Sequence, residues 1–154
     1  MSHEPEKVNP FADEAAAHAM AEALRQMEWE LELKRREAHV EACLAIMKFG
    51  VMPRVELAAA MKDWGNTAEV TGVARTETFS GMTHLRIKMM INGGTIEGGR
   101  LEFIASPISM VIAAEGERGH EKRRWQKISL TSENISGQCD HVISEFITWG
   151  CVKR

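Results

Sequence analysis

A helical pattern of about 40 residues near the start of the chain constrains the fold more than any other feature. Asn9-Pro10 predicts its beginning, because Asn caps free N–H groups and Pro fits the first helical position. The pattern runs to Phe49, where Gly50 and then Pro53 predict its end. Such a helix spans roughly 60 Å, longer than a domain of 154 residues can cover. We therefore expect part of it to protrude, or the helix to break near its middle.

Two apolar stripes lie on opposite sides of this helix. The first stripe has the 4-3-4 spacing of a coiled-coil edge and comprises Met20, Leu24, Met27 and Leu31. The second stripe comprises Trp29, Leu33, Val40, Leu44 and Met47. The C-terminal half of the helix is apolar on both sides, which is typical of a helix between two surfaces. The first stripe predicts self-association or docking on a partner protein. The alternative is a helical hairpin that packs on the chain's own core.

The remainder of the chain predicts a sheet with helices. Residues 53–64 predict a short helix, and residues 67–79 and 82–91 predict a hairpin that turns at Ser80-Gly81. Three further strands are expected at residues 101–105, 108–114 and 123–130, with a charged loop at 115–121. An amphipathic helix follows Ser136, with Cys139, Val142, Ile143, Phe146, Ile147 and Trp149 on its apolar face.

Helices and strands are segregated along the chain, which predicts an α+β fold. It comprises a long N-terminal helix, a short helix, an antiparallel sheet of about five strands and a C-terminal amphipathic helix. We expect residues 1–9 to be a disordered tail, residues 10–52 to be the long, partly protruding helix, and residues 53–154 to be the α+β domain.

The composition excludes several classes of protein. The net charge of −3 provides no general attraction to nucleic acid or to an anionic membrane. The three cysteines are odd in number and not closely paired, which favours reduced thiols in the cytoplasm over a disulfide framework. The first nine residues do not resemble a secretion signal, and no apolar run is long enough to cross a membrane. The 10 methionines suit irregular core gaps or an adaptable binding surface.

No residue pattern indicates catalysis or a cofactor. His39, Cys43, Cys139 and His141 are potential metal ligands, but their spacing does not match structural zinc sites. The polar residues of the last helix lack the Gly-x-Ser-x-Gly turn of a serine hydrolase. The glycines between Asn92 and Gly99 lack the strand–loop–helix context and the Lys of a phosphate-binding loop. We therefore predict no enzyme activity, no metal and no cofactor.

A basic segment with an internal aromatic residue supports an alternative hypothesis. It contains Arg123, Arg124, Trp125 and Lys127, and Arg86 and Lys88 on another strand extend it across a sheet face. Surfaces that bind single-stranded nucleic acid use cations for phosphates and an aromatic ring for base stacking. The nearby glutamates argue instead for a solvated sheet face.

The preferred hypothesis is a non-enzymatic protein-interaction module, such as a small chaperone, adaptor or inhibitor. It would act through the N-terminal helix, on a second copy of the chain as a homodimer or on a partner protein. Two alternatives remain: a nucleic-acid-associated factor that uses the basic residues, and a small-ligand or enzymatic site in a cavity between sheet and helices.

Overall fold

The computed structural model of the chain describes residues 9–60, 67–78, 81–92, 96–97, 99–150 and 152–153. The chain divides into two compact units, residues 1–37 and residues 38–154. The predicted division between a helical segment 10–52 and a domain 53–154 falls inside the second unit. The predicted disordered tail lies outside the described residues, except for Asn9.

The first unit is helical in its described part. Helix α1 (Ala12–Ile46) begins in this unit, with two acidic side chains in its first turn. Asn9 has the predicted capping role, because its Oδ1 accepts a hydrogen bond from the Phe11 N–H at 2.9 Å. Its carbonyl oxygen accepts a second hydrogen bond from the Ala12 N–H at 3.1 Å. These contacts satisfy donors that a helix leaves unpaired at its start.

The chain remains helical past the predicted end of the long helix. Helix α1 ends at Ile46, residues Met47–Val51 form a π-helical turn, and α2 (Met52–Ala59) follows directly. The expected helix stop at Gly50 is therefore wrong. Pro53 does not end the helix either, since it lies in the first turn of α2, where a missing N–H costs no hydrogen bond.

The second unit contains an antiparallel sheet of six strands, which confirms the predicted α+β class. The strands of the unit are β1 (Thr67–Glu77), β2 (Thr83–Asn92), β3 (Ile96–Glu97), β4 (Arg100–Ser106), β5 (Val111–Arg118), β6 (Glu121–Arg124), β7 (Ile128–Ser129) and, after the last helix, β8 (Val152–Lys153). The order in the main sheet is β1-β2-β4-β5-β6, and β7 also pairs with β5. Strands β3 and β8 form a separate pair.

The predicted hairpin is confirmed as β1 and β2, which pair from Thr67 with Asn92 to Glu77 with Thr83. In its turn, Gly81 has a φ of +75° and its N–H donates to the Thr78 carbonyl at 2.9 Å. A positive φ of this kind favours glycine. Ser80, the other predicted turn residue, lies outside the described residues.

The boundaries predicted for the last two strands, 108–114 and 123–130, need correction. Strand β5 begins at Val111, three residues later than expected, and continues to Arg118 through most of the predicted charged loop. The expected strand 123–130 is divided into β6 and β7. The charged residues of β5 fit a strand because their side chains pair with cations across the sheet: Glu115 with Arg124, and Glu117 with Lys122.

One face of the sheet is apolar and forms the core with the helices. The alternation predicted for β2 and β4 is confirmed, because Leu85, Ile87, Met89, Ile91, Leu101, Phe103 and Ala105 are all buried. Helix α3 (Ile135–Gly150) contacts β4, β5 and β7, whereas α2 contacts β1 and β2. Helix α3 is amphipathic as predicted, and it buries Cys139, Val142, Ile143 and Phe146.

None of the helices within the described ranges has both the length and the apolar character needed to cross a membrane.

Candidate functional site

The N-terminal helix exposes an apolar surface. We call Met20, Leu24, Met27 and Leu31 the seam, and these four side chains are 53–68% exposed. Phe11, Trp29 and Leu33 are also exposed. Across residues 9–39, all of which the structure describes, no side chain is buried. Seven large apolar side chains in so short a segment are more than scattered surface hydrophobics, and they are typical of an interaction site.

Charged side chains of the same helix pair with one another beside the seam. Arg25 contacts Glu22 at 2.7 Å, while Glu32 pairs with both Arg35 and Arg36. These pairs are spaced three or four residues apart, so they support the helix without a partner. The helix therefore combines satisfied charges with an apolar strip that is left in water.

The second predicted stripe is not uniform. Trp29 and Leu33 are 59% and 42% exposed, whereas Val40 and Met47 are buried and Leu44 is packed against the core. The change from exposed to buried coincides with the boundary between the two compact units at residues 37 and 38. Only the part of the stripe in the second unit contributes to a core.

The six candidate nucleic-acid residues do not share one face. Lys88 and Arg86 lie on the outer face of the sheet, opposite the helices, because they alternate with the buried residues of β2. Arg124 is on the same face, where it pairs with Glu115. Arg123 instead lies opposite Gly116 in the register and reaches Glu145 of α3. Trp125 is also on the helix side, against Gly116 and Trp149, and Lys127 is exposed beside it.

Carboxylates accompany most of these cations. Arg86 pairs with Glu102, whose side chain is only 10% exposed, and Arg86 also donates to Thr76 Oγ1 at 3.2 Å. Arg124 Nε lies 3.3 Å from Glu115, and Arg123 Nη2 lies 3.0 Å from Glu145. The paired carboxylates neutralise much of the positive charge of these basic residues.

Glu145 organises the helix side of the sheet edge. Its Oε2 accepts hydrogen bonds from the Trp125 indole N–H at 2.6 Å and from Arg123 at 3.0 Å. Its Oε1 lies 3.2 Å from His141 Nε2. The Arg123 guanidinium stacks 5.2 Å from the centre of the Trp125 ring, and the ring meets Trp149 edge-on at 6.3 Å. Trp125 is therefore held from three directions.

A groove of about 510 Å³ lies between this sheet edge and α3. Its lining residues are Arg123, Arg124, Trp125, Gln126, Lys127, Ile128, Asn134, Gly137, Gln138, His141, Val142 and Glu145. The sequence places His141 and Glu145 four residues apart. It contains no signal for the groove, because the contact of Glu145 with Trp125 joins residues 20 positions apart.

The candidate metal ligands Cys43 and Cys139 are free, fully buried thiols. Burial raises the pKa of the Cys43 thiol to about 11. Burial, followed by the charge of Asp140, raises the pKa of the Cys139 thiol to about 12, and Arg54 opposes this shift. Both thiols are therefore protonated and unreactive near neutral pH. Within the described ranges, no three His, Cys, Asp or Glu side chains are arranged to hold a metal ion.

Comparison with protein-family models, with curated proteins and with solved structures finds no significant match for this chain.

Proposed function

We propose that the chain is a non-enzymatic protein-interaction module that acts through the seam of its N-terminal helix. The observation that supports this proposal is the exposure of all four seam side chains, Met20, Leu24, Met27 and Leu31. A helix with satisfied charges and an apolar strip lowers its free energy when another apolar helix covers the strip. The free thiols of Cys43 and Cys139 are consistent with a reducing, cytoplasmic setting.

The partner that we propose is a second copy of the chain. The 4-3-4 spacing of the seam matches the a and d positions of a two-helix coiled coil. Ala21 and Ala23 flank the N-terminal half of the seam, so another helix can approach closely there. In a parallel pair, Glu30 of one copy would lie opposite Arg35 of the other at the flanking g and e positions, where Arg35 also pairs with Glu32 of its own helix.

The seam predicts a dimer that depends on protein concentration. Full burial of a Leu or Met side chain contributes roughly 1.5–3 kcal/mol, and the seam offers four such side chains per copy. Association costs an estimated 4–15 kcal/mol of lost translational and rotational freedom. Because these terms are of similar size, we expect exchange between monomer and dimer instead of a permanent complex.

The test is analytical ultracentrifugation of the chain over a range of concentrations. The wild-type chain should shift from the mass of one copy to that of two, and Leu24→Glu with Met27→Glu should remain monomeric. The matched control is Ala19→Glu with Gln26→Glu, which adds the same two negative charges away from the seam. A wild-type mass of one copy at every concentration would contradict the dimer, and equal effects of the two pairs would assign the effect to charge.

Nucleic-acid binding is the second hypothesis. It ranks below protein interaction because carboxylates already pair with most of the basic residues. Arg86, Arg123 and Arg124 would each have to exchange a carboxylate for a phosphate. Trp125 cannot stack on a base from the same face as Arg124. If this hypothesis holds, affinity for single-stranded oligonucleotides falls steeply with added salt, and Lys88→Glu weakens it.

A further inference from the structure

The groove beside α3 borders an open sheet edge. Strand β6 ends the order of the main sheet, and no strand among the described residues pairs with its other side. The chain continues along β5 from β6 to β7, and Trp125 still donates from its N–H to the Ala114 carbonyl at 3.1 Å. Residues 121–129 therefore form one interrupted edge, which we call the β6–β7 edge.

The backbone of this edge has groups that point away from the sheet. In an antiparallel pair, the N–H and C=O groups of successive residues point alternately toward and away from the partner strand. Since the Trp125 N–H points toward β5, the N–H and C=O of Arg124 point outward. The register changes by one residue between the Arg124–Glu115 and Ile128–Ile112 pairs, which is a β-bulge. Bulges of this kind occur at sheet edges and next to binding sites.

The groove provides side-chain contacts parallel to this backbone. Ile128 and Val142 are buried at its base, and the indole of Trp125 forms a wall that Glu145 holds in place. Gln126 on the edge and Gln138 on α3 are exposed at its rim. An apolar base between two amide-bearing rims suits an extended peptide whose alternate side chains enter the groove.

The charge of the groove selects the kind of peptide. Its lining contains three cations (Arg123, Arg124 and Lys127) and one carboxylate, Glu145. Arg123 pairs with Glu145 and Arg124 pairs with Glu115, so among the described ion pairs Lys127 is the cation of the lining that is left for a ligand. Glu145 already faces Arg123 and the Trp125 N–H. An acidic side chain on an incoming strand would be attracted by Lys127. A second copy of the same edge would instead bring Arg124 and Lys127 against their own counterparts.

We propose that the groove between the β6–β7 edge and α3 binds an acidic peptide segment in extended conformation, which joins the sheet as an added strand. Backbone hydrogen bonds to the outward groups of the edge, including those of Arg124, hold the peptide. An apolar side chain of the peptide contacts Trp125, Ile128 and Val142, and its carboxylates lie near Lys127. The groove and the seam share no residue, so the proposal of a peptide site does not rest on dimer formation.

The test begins with a displayed library of random linear peptides, selected on the full chain. We expect the enriched peptides to alternate acidic and apolar residues. A synthetic copy of the strongest peptide should shift backbone amide NMR signals of residues 122–128 and of the groove side of α3. The same peptide with N-methyl groups on alternate amides should bind at least tenfold more weakly in one of the two methylation registers, because only one set of its amides faces the edge.

Variants of the chain distinguish the contribution of backbone hydrogen bonds to peptide binding from the contribution of charge. Arg124→Pro removes an outward N–H, whereas Arg124→Gln removes only the charge, so the Pro variant should bind the peptide at least tenfold more weakly than the Gln variant. Lys127→Glu should weaken binding more than Lys88→Glu, which makes the same charge change on the outer sheet face. If Arg124→Pro does not fold, the methylated peptides alone decide the backbone contribution.

Four outcomes of the peptide experiments would overturn the proposal. They are no enrichment of any peptide, enrichment of basic or purely apolar peptides, equal binding of both methylated forms, or amide shifts confined to the outer sheet face. Equal affinity of the groove for a single-stranded oligonucleotide at the same salt concentration would also overturn it, in favour of a general anion surface.

Discussion

The N-terminal helix and helix α3 have similar patterns of apolar residues but different surroundings. Between residues 9 and 39, α1 exposes all of its large apolar side chains, whereas α3 buries four side chains on 16 residues. Helix α3 lies against β4, β5 and β7, which present apolar side chains to it. The comparison shows that apolar periodicity identifies a helix and its sides, while burial depends on whether a complementary surface exists in the same chain.

The largest expected difference between the two regions is the loss of stability when one apolar side chain is truncated in each. Phe146→Ala in α3 should lower the free energy of unfolding by about 3–5 kcal/mol, because a large buried ring leaves a cavity. Leu24→Ala in the seam should change it by less than about 0.5 kcal/mol at a concentration where the chain is monomeric. Urea unfolding followed by tryptophan fluorescence measures both. Similar losses for the two variants would mean that the seam is packed inside the folded chain.

The packing of Trp125 against the sheet can be tested at Gly116. A Cβ atom at this position would lie 2.8 Å from the Trp125 ring and 3.1 Å from the Trp149 ring. Gly116→Ala should therefore destabilise the second unit by about 1–3 kcal/mol and alter the tryptophan emission spectrum. The control is Gly72→Ala on β1, where no atom lies within 4 Å of an added Cβ. A neutral effect at Gly116 would show that the two rings move freely and that Trp125 is not a fixed wall of the groove.

The two buried thiols should make the stability of the folded chain depend on pH, and both lie outside the exposed part of α1. The pKa values of Cys43 and Cys139 rise from 9.0 in the unfolded chain to about 11 and about 12 in the folded chain. The unfolded chain therefore loses these protons first, and stability that is complete below pH 9 is lost as the pH rises toward 11 to 12. Each thiol contributes a slope of up to about 1.4 kcal/mol per pH unit within its window.

This pH effect is measured by urea unfolding between pH 7 and pH 11 in a Cys151→Ser background. Replacement of Cys43 and Cys139 by Ala should reduce the alkaline slope, whatever its effect on stability at neutral pH. The part of α1 before residue 38 contains no cysteine. An unchanged slope after the replacement would assign the alkaline loss to other groups.

The smallest expected difference concerns ion pairs. Arg54 of α2 donates to both carboxylate oxygens of Asp140 in α3, each at 2.7 Å, and this contact raises the pKa of Arg54. Arg25 and Glu22 pair within one helix and are more exposed. We expect Arg54→Ala to lower the thermal midpoint slightly and Arg25→Ala to lower it less. A double-mutant cycle of Arg54 with Asp140 measures the coupling, and its absence would show that the bidentate pair is not formed in solution.

Much of the fold follows from local patterns. The cap that Asn9 provides before α1, the β1–β2 hairpin and the alternation of Leu101, Phe103 and Ala105 were all predictable, because caps and periodicity act over a few residues. The extent of β5 was not. Its charged end, including Glu115 and Glu117, resembles a loop in isolation and becomes a strand when cations on β6 lie beside it.

The candidate sites show the same division. The four seam residues could be named from their spacing, since a helix places such residues on one side whatever the rest of the chain does. The basic residues could be identified individually from the sequence, but the face of the sheet on which each side chain lies could not. The bulge between Arg124 and Ile128 changes the register, and no property of the individual residues predicts this bulge.

The amino-acid sequence by itself determined the helices, most strands, the α+β class and the apolar seam, because these depend on interactions between near neighbours. Only the tertiary structure decided which apolar stripe is buried, which carboxylate each arginine meets and that Glu145 holds Trp125 at the rim of a groove. The physical reason is distance along the chain. Contacts between residues on different helices and strands require a particular strand order and helix placement, which arise from the packing of the whole core.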